Sequence, residues 1–355
     1  MGGQVVRSEA EDSHARSRLG GCRCTIRCKL VTRSDGPRDD RETVTAPEPM
    51  GTDRTRAALG ILVVTVVVGA ACLAIYSQRH SFADALQSIG GWPLLASLVV
   101  GMLSVALTLP AWLVVLHGLG VEMPLAAGAR VFFVSQLGKY LPGSVWPVLI
   151  QMQAGRARGA SRRTMLAANL ITLILSCAAC LTLACLLLPL SGAPALDGYW
   201  WLLAALPLLL ALLHPRAVPW LLDRAFGLLG RAPLALRLHL RDSARASAWA
   251  LLAFVVLGLH VAILALAIDG GGLSTVLLCI GGTGLAVTAG VLFVPAPAGA
   301  GVRDAVLALV LSSTLNSGQA LAVVVASRAI LILADVLLAA AAALTLRGAA
   351  AAPGQ

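Results

Sequence analysis

The 355-residue chain combines 58% hydrophobic residues with 12% charged residues and has a mean hydropathy of +0.85. Soluble globular proteins contain roughly 25% charged residues, so this composition excludes that class and predicts an all-α polytopic membrane protein. Residues 1–49 hold nine basic and eight acidic residues, so nearly all of the formal net charge of +10 belongs to the apolar remainder.

The first segment, residues 1–49, has neither the apolar core of a signal peptide nor helical periodicity. We predict a disordered cytoplasmic tail, with Met50 as an alternative start. The cysteines of this tail, Cys22, Cys24 and Cys28, are not accompanied by the second cysteine pair or histidine pair that a zinc site needs. Neither a metal nor a cofactor is therefore predicted.

Six apolar windows are predicted as spanning helices, because roughly 20 apolar residues cross a hydrocarbon core of ~30 Å. They lie at residues 57–77, 92–117, 164–190, 199–213, 247–268 and 318–346. The membrane domain is predicted to occupy residues 50–348, and residues 349–355 form a short tail.

A turn interrupts the apolar sequence after the second window. Pro142 and Gly143 give a turn signal, and Ser144 is a residue type that begins helices. Free N–H groups at such a helix start, beside Lys139, would form an anion site. The alternative is that Lys139 reaches the cytoplasmic surface, while its neighbours Tyr140 and Trp146 anchor at the interface.

A second break, at residues 295–304, precedes another helix start at Arg303 and Asp304. An arginine in that position can bind a phosphate in bidentate fashion. Asp304 can instead pair with Arg303 or cap the helix.

Two further charged residues, Arg328 and Asp335, lie seven positions apart and therefore on one face of the last helix. A lipid-facing arginine at mid-membrane costs at least ~2.5 kcal/mol, so we expect Arg328 to face the protein interior. The alternative to a substrate role is a structural pair between Arg328 and either Asp304 or Asp335.

Each break leaves about 13 helical residues on either side, or ~20 Å at 1.5 Å per residue. This length predicts two re-entrant hairpins, and kinked full spans are the alternative. Arginines 54, 56, 156, 158, 162 and 163, with six more in the loop at 215–246, place both termini in the cytoplasm by the positive-inside rule. The two halves are then inverted, and matching breaks in inverted halves point to a transport site near the midplane.

The arginine-rich loop at 215–246 also contains eight leucines. That combination favours an amphipathic segment on the anionic inner leaflet, and a solvated linker is the alternative.

Candidate catalytic groups are few. The histidines form no cluster, and Glu122 is the sole glutamate after residue 49. The glycines at 281–284 are followed by no Lys-Ser/Thr pair, so they indicate close helix packing and not a nucleotide loop. We predict no enzyme, since a membrane transferase would depend on Asp304 and Asp335 alone.

The sequence from Gln136 to Pro147, followed by an arginine-rich turn, resembles the lysylphosphatidylglycerol synthase transmembrane or flippase-like family. The second break, with Arg328 and Asp335 after it, resembles the family's C-terminal signature, usually Pro-Gly-Gly-x-Gly-x-Arg-Glu. Here Ala298 replaces a glycine and Asp304 replaces the glutamate. The resemblance covers roughly residues 55–346.

This resemblance implies a multi-helix module that moves lipids, such as aminoacylated phospholipids or polyprenyl-linked sugars, between leaflets. The soluble aminoacyl transferase domain of the lysyl-transferring members is not expected here, because the sequence ends at Gln355, just after the last helix.

The leading hypothesis is a lipid flippase or lipid-head-group transporter for anionic or polyprenyl-linked lipids, with membrane lipids and not nucleic acid as partners. The predicted substrate-binding residues are Lys139, Tyr140, Pro142, Gly143, Ser144, Trp146, Arg303, Asp304, Arg328 and Asp335. The alternative is a non-transporting membrane partner of a lipid or cell-envelope glycan enzyme. The excess of alanine, and of arginine over lysine, indicates a GC-rich bacterial genome and hence the bacterial plasma membrane.

Overall fold

The computed structural model of the chain describes residues 87, 89–140, 146–156, 159–192, 200–212, 214, 217–228, 238–293 and 301–350. Within these ranges the regular structure is entirely helical, without a strand, which confirms the all-α polytopic class. The predicted tail at 1–49 and the predicted span at 57–77 lie outside the described residues.

Five helices of the described ranges are long and apolar enough to cross a membrane. They are α1 (Gly91–Gly118), α4 (Arg162–Leu190), α7 (Leu240–Asp269), α8 (Leu273–Leu292) and α10 (Ser317–Ala350). The shorter helices are α2 (Leu125–Gln136), α3 (Trp146–Arg156), α5 (Leu206–Leu212), α6 (Ala217–Leu228) and α9 (Val302–Leu311). Four of the six predicted spans are thereby confirmed as α1, α4, α7 and α10.

The predicted span at 199–213 is not one helix. A 3-10 helix at Trp200–Ala205 leads into the seven-residue α5, and α6 then runs at 81° to the segment before it. The physical reason lies at His214, because the residue before a proline is driven away from helical geometry and Pro215 follows it. The two segments reach a spanning length only as a bent pair.

The helices on either side of each break, here called its arms, differ in length. α2, α3 and α9 have 12, 11 and 10 residues, close to the predicted 13. For α8 the prediction of 13 residues is wrong, because this helix has 20 residues, or ~30 Å. α8 starts directly after the turn at Gly270, whose φ of 60° ends α7, and no proline interrupts it. Re-entrance of the two hairpins stays a prediction.

The unit α1–α4 and the unit α7–α10 make matching helix contacts. In this comparison α1 is equivalent to α7, α2 to α8 and α4 to α10. α1 packs against α10 as α7 packs against α4, and α2 packs against α10 as α8 packs against α4. The equivalent helices α1 and α7 form the most extensive contact. Two units related by a two-fold axis produce this pattern, so the contacts agree with the predicted inverted repeat.

α1 and α7 run antiparallel. Near one end Ser97 contacts His260, in the middle the Ser104 hydroxyl donates to the Ala253 carbonyl at 2.9 Å, and at the other end Gly118 approaches Asp242. His260 is fully buried and joins three helices, since its Nδ1 lies 2.9 Å from the Ser97 carbonyl and its Nε2 lies 2.9 Å from the Ser327 hydroxyl of α10. A carbonyl oxygen only accepts, so Nδ1 carries the proton and, in the neutral ring, Nε2 accepts from Ser327.

Small residues let α8 lie close to its neighbours. A Cβ on Gly284 would stand 2.5 Å from the Cys180 carbonyl oxygen of α4, and a Cβ on Gly281 would meet Leu188 at 2.9 Å. Contacts of this kind hold membrane helices together, since lipid tails are as apolar as leucine and leave no hydrophobic driving force between helices. The glycines at 281–284 thus serve helix packing, as predicted.

Candidate functional site

Both broken segments face one cavity of about 560 Å³. The start of α3 contributes Pro147, and the start of α9 contributes Arg303. Side chains of α1, α2, α4, α7, α8 and α10 complete the wall. The volume falls in the range of roughly 300–1,000 Å³ that is typical of small-molecule sites.

The first break brings Lys139 and Tyr140 to this cavity through a tight hairpin. α2 tightens into a 3-10 turn at Leu137–Tyr140, and α3 starts at Trp146. Gly138 is buried between the two arms, where a Cβ would stand 3.0 Å from the Trp146 Cβ and 3.1 Å from the Pro147 nitrogen. Glycine at 138 therefore permits the close approach of the two arms.

Asp335 of α10 receives both side chains of that turn. The Lys139 Nζ lies 2.7 Å from Asp335 Oδ2, and the Tyr140 hydroxyl donates to the same oxygen at 2.5 Å. Asp335 is 1% exposed. A carboxylate buried to this degree is stable only when it is paired, so Lys139 and Tyr140 bind the first hairpin to the last helix.

At the second break, Asp304 both caps the start of α9 and forms an ion pair. Its Oδ2 accepts from the Gly301 N–H at 3.2 Å, and its Oδ1 lies 3.8 Å from the Arg328 guanidinium. Two of the alternatives that the sequence left open are thus both present, the helix cap and the pair with Arg328. Arg303, which the sequence offered as the other partner of Asp304, is half-buried and has no hydrogen bond or ion pair to any described residue.

The charges of this cluster do not balance. Lys139, Arg303 and Arg328 are cationic, and Asp304 and Asp335 are anionic, so the cluster has one cation in excess. Lys139 and Arg328 face carboxylates, which leaves the Arg303 guanidinium as the group able to receive an anion. Guanidinium groups bind phosphate through paired N–H donors in a plane.

The structure unites half of the ten predicted site residues around the cavity: Lys139, Tyr140, Arg303, Arg328 and Asp335. Asp304 contacts Arg328 from behind it. Trp146 is 44% exposed at the start of α3 and does not line the cavity. Pro142, Gly143 and Ser144 lie outside the described residues. Substrate binding by these residues stays a prediction.

Several polar side chains of the cavity were missed by the sequence analysis. The wall includes Gln151 of α3, and Asn169 and Thr172 of α4. The sequence did carry a signal for them, because polar side chains are unusual at membrane depth. Gln151 is an amide in a short apolar helix, and Asn169 and Thr172 lie three positions apart on an apolar helix. The Trp112 indole also lines the cavity, although tryptophan in an apolar helix carries no such signal.

Two broken segments that meet at one cavity, inside a bundle of long apolar helices, define a polytopic membrane protein with a charged cluster in a largely apolar cavity. The chain belongs to the family described as Lysylphosphatidylglycerol synthase TM region, which it matches over residues 58–339. This match confirms the family resemblance and indicates a membrane protein of lipid metabolism or flippase type. No curated protein matches the chain.

Proposed function

We propose that the protein moves anionic or polyprenyl-phosphate-linked lipids between the leaflets of the membrane. The observation that carries the proposal is the convergence of both broken segments on one cavity with an excess cation. Matching breaks in two inverted units are the arrangement by which transporters build a central substrate site. The family membership supports a lipid as the substrate.

The lipid phosphate binds at Arg303 in this proposal. Arg303 stands at the first turn of α9, where the N–H groups of the helix start add to its positive charge. Arg328 lines the wall beside it. The apolar side chains between the polar groups of the cavity, such as Leu173, Phe254 and Val287, suit the upper part of the acyl or prenyl chain.

Lys139 and Asp335 regulate access in the same scheme. An incoming phosphate competes with Asp335 for Lys139, because both are anions and Lys139 is their shared cation. The ion pair joins the first hairpin to α10, so its exchange changes the contact between the two units. A transporter needs such a coupling between substrate binding and the relative positions of its halves.

We assign the protein to the bacterial plasma membrane, with both termini in the cytoplasm. The arginines after the first hairpin and in the loop at 215–246 support this orientation.

The test is lipid movement in proteoliposomes that contain a fluorescent phosphatidylglycerol, followed by quenching from outside. We expect the wild type to move the lipid and both Arg303→Ala and Lys139→Ala to slow it roughly tenfold, since hydrogen bonds to charged groups contribute about 1.5–3 kcal/mol. Arg130→Ala is the matched control, because Arg130 is exposed on α2 and does not line the cavity. Equal rates for wild type and both cavity variants would contradict the assigned site.

The alternative of a non-transporting partner for a lipid or glycan enzyme has one observation in its favour. On α6, Trp220 is 60% exposed and the Arg224 guanidinium lies 5.5 Å from the centre of its ring. An exposed tryptophan beside an arginine is typical of interaction surfaces. Wild-type protein that moves no lipid, but retains an enzyme through a complex that Trp220→Ala disrupts, would favour this alternative.

A further inference from the structure

We propose that the predicted span at residues 57–77 packs along the exposed face of α10. Consecutive elements of a chain are usually neighbours in space, so the ordinary expectation for this span is a hairpin with α1. The repeat and the course of the chain before α1 favour α10 instead. The docking does not depend on lipid transport, because none of these observations involves the cavity.

The repeat shows a vacant place beside α10. Its equivalent, α4, packs against α8, α7, α1 and α3. α10 packs against the equivalents of all four, which are α2, α1, α7 and α9. α4 has a further extensive contact, with α5 and the 3-10 helix that leads into it. Among the described helices, none makes the corresponding contact with α10.

The order of the elements identifies the segment that belongs in this place. The bent pair of α5 and α6 comes directly before α7, and the span at 57–77 comes directly before α1, the equivalent of α7. α5 packs against α4, the last long helix of the other unit, and makes no extensive contact with α7 in the described ranges. A two-fold axis that relates the units therefore places the span against α10. Each unit then contributes its first element to the last helix of the other.

α10 has an apolar face of suitable length for a second helix. Exposed residues recur on it every three or four positions, the spacing found where two helices pack together. They are Ala329, Leu333, Val336, Ala340 and Leu344. The row covers ~24 Å at 1.5 Å per residue, and its two alanines permit a close approach between helices.

The chain reaches α1 from the side of α10. Ile89, two residues before α1, is 1% exposed and belongs to the same buried cluster as Ala320 and Val323 of α10. From the end of the span at Ser77, 14 residues lead to Gly91 and extend to roughly 45 Å. Packed helices such as α1 and α10 lie only ~8–10 Å apart, so this connection reaches the far side of α10.

The direction of α10 determines which residues would meet. α10 runs parallel to α1, because Ser97 and Ser327 both bind His260 and, one turn further along, a Cβ on Gly101 would lie 3.5 Å from Leu331. The span crosses the membrane immediately before α1 and so runs opposite to both helices. Counted from the outer ends at 1.5 Å per residue, positions 61–64 lie at about the depth of residue 333.

Cysteine cross-linking in the full-length chain tests the docking. Ile61→Cys, Leu62→Cys, Val63→Cys and Val64→Cys cover one helical turn, and each is combined with Leu333→Cys in a cysteine-free background and oxidised in membranes. A protease site inserted between residues 80 and 86 makes the result visible on a non-reducing gel, because cross-linked halves stay joined after cleavage. We expect at least one of the four pairs to join.

Leu103→Cys is the matched control for the hairpin with α1, since Leu103 is 50% exposed and Leu333 is 46% exposed. Each lies two positions, or about 200°, beyond the contact of Gly101 with Leu331, so the two side chains face away from each other. We expect no pair with Leu103→Cys to join. Joining at Leu103→Cys without joining at Leu333→Cys would overturn the proposal.

A photoreactive benzoylphenylalanine at position 333 or 103 repeats the comparison in a chain that keeps its native cysteines. We expect illumination to join the N-terminal fragment to the rest of the chain from position 333 and not from position 103. Cross-links to lipid alone would assign the face of α10 to the bilayer, and products of dimer size would assign it to a second copy of the chain. Either result would overturn the proposal.

Discussion

Asp335 is the residue on which the charge arrangement of the cavity depends. It lies on the last helix, yet its partners Lys139 and Tyr140 belong to the first hairpin, 195 residues earlier for Tyr140. The buried end of this ion pair is Asp335, whereas Lys139 is 32% exposed. Removing the lysine therefore leaves a buried charge behind, while removing the aspartate leaves a partly hydrated one.

A double-mutant cycle measures this pair. We expect Lys139→Met and Asp335→Asn each to lower the free energy of unfolding in detergent, and the double variant to lose less than the sum. The coupling should be about 1 kcal/mol, in the lower part of the range for contacting residues because the exposed part of Lys139 is screened by water.

Arg130→Met is the control for that cycle, because this arginine is exposed on α2. Its effect should add to that of Asp335→Asn without any coupling. Strict additivity of Lys139→Met and Asp335→Asn would mean that the contact contributes no stability.

Sequence reasoning reached these charged residues and offered the Arg328–Asp304 pair, but it did not find the partners of Asp335. Lys139 and Arg328 stand out because ionisable residues in apolar helices are rare and costly. The sharing of Asp335 by Lys139 and Tyr140 depends on how α10 docks against the first hairpin, a long-range contact that no local pattern encodes. Gln151 escaped notice for the same reason, since its burial and its hydrogen bond to Ser135 depend on how α3 packs against α2.

At the scale of elements, α8 departs most from expectation. Pattern reasoning allowed it about 13 helical residues before the break at residue 295, whereas the helix has 20. Gly281 and Gly284 are packed against α4, in the close helix contact that the sequence predicted for them. α8 packs extensively against α4, α7 and α9, and this packing stabilises it in a way that intrinsic helix propensity does not report.

The packing of α8 is open to a matched test. Gly284→Ala adds a methyl group 2.5 Å from the Cys180 carbonyl oxygen, so the backbones must separate. We expect a loss of roughly 1–3 kcal/mol in the free energy of unfolding, the usual cost of overpacking. Thermal unfolding in detergent measures it.

The same substitution at Gly91 is the control, because an added Cβ meets nothing within 4 Å there. Gly91→Ala should be neutral or slightly stabilising, since alanine favours the helix over glycine. A destabilisation of equal size at both positions would show that the α8 contact is not the cause.

For the whole molecule, the sequence indicated the class, the family and the relation between the halves. Apolar windows and arginine positions predicted the class and the relation between the halves, because hydrocarbon thickness and charge asymmetry act on the sequence directly. The family followed from the resemblance of the motif at 136–147. The bent α5–α6 pair was not anticipated, since the apolar window at 199–213 hides the change of direction at His214. Composition shows whether a segment is apolar enough for the membrane, whereas a change in helix direction depends on single residues.

Orientation is testable at this scale with single cysteines in a cysteine-free background. Glu122 lies exposed beyond the end of α1, and Ser274 lies exposed at the start of α8, near the opposite end of the antiparallel α1–α7 pair. We expect an impermeant maleimide to label Ser274→Cys in intact cells and Glu122→Cys only after permeabilisation.

The reverse labelling would invert the predicted orientation. Labelling of both positions from the same side would contradict the spanning assignment of α1.

The hydrogen bonds of His260 restrict the conformational changes that the proposed transport would use. One imidazole ties α1, α7 and α10 together, and breaking either side would strand a buried polar group at a cost of about 1–3 kcal/mol. A rearrangement that preserves these bonds moves the three helices together as one rigid body. In the transport that we propose, α1, α7 and α10 therefore keep their relative positions, and the contact that changes is the one that the Lys139–Asp335 pair makes between the first hairpin and α10.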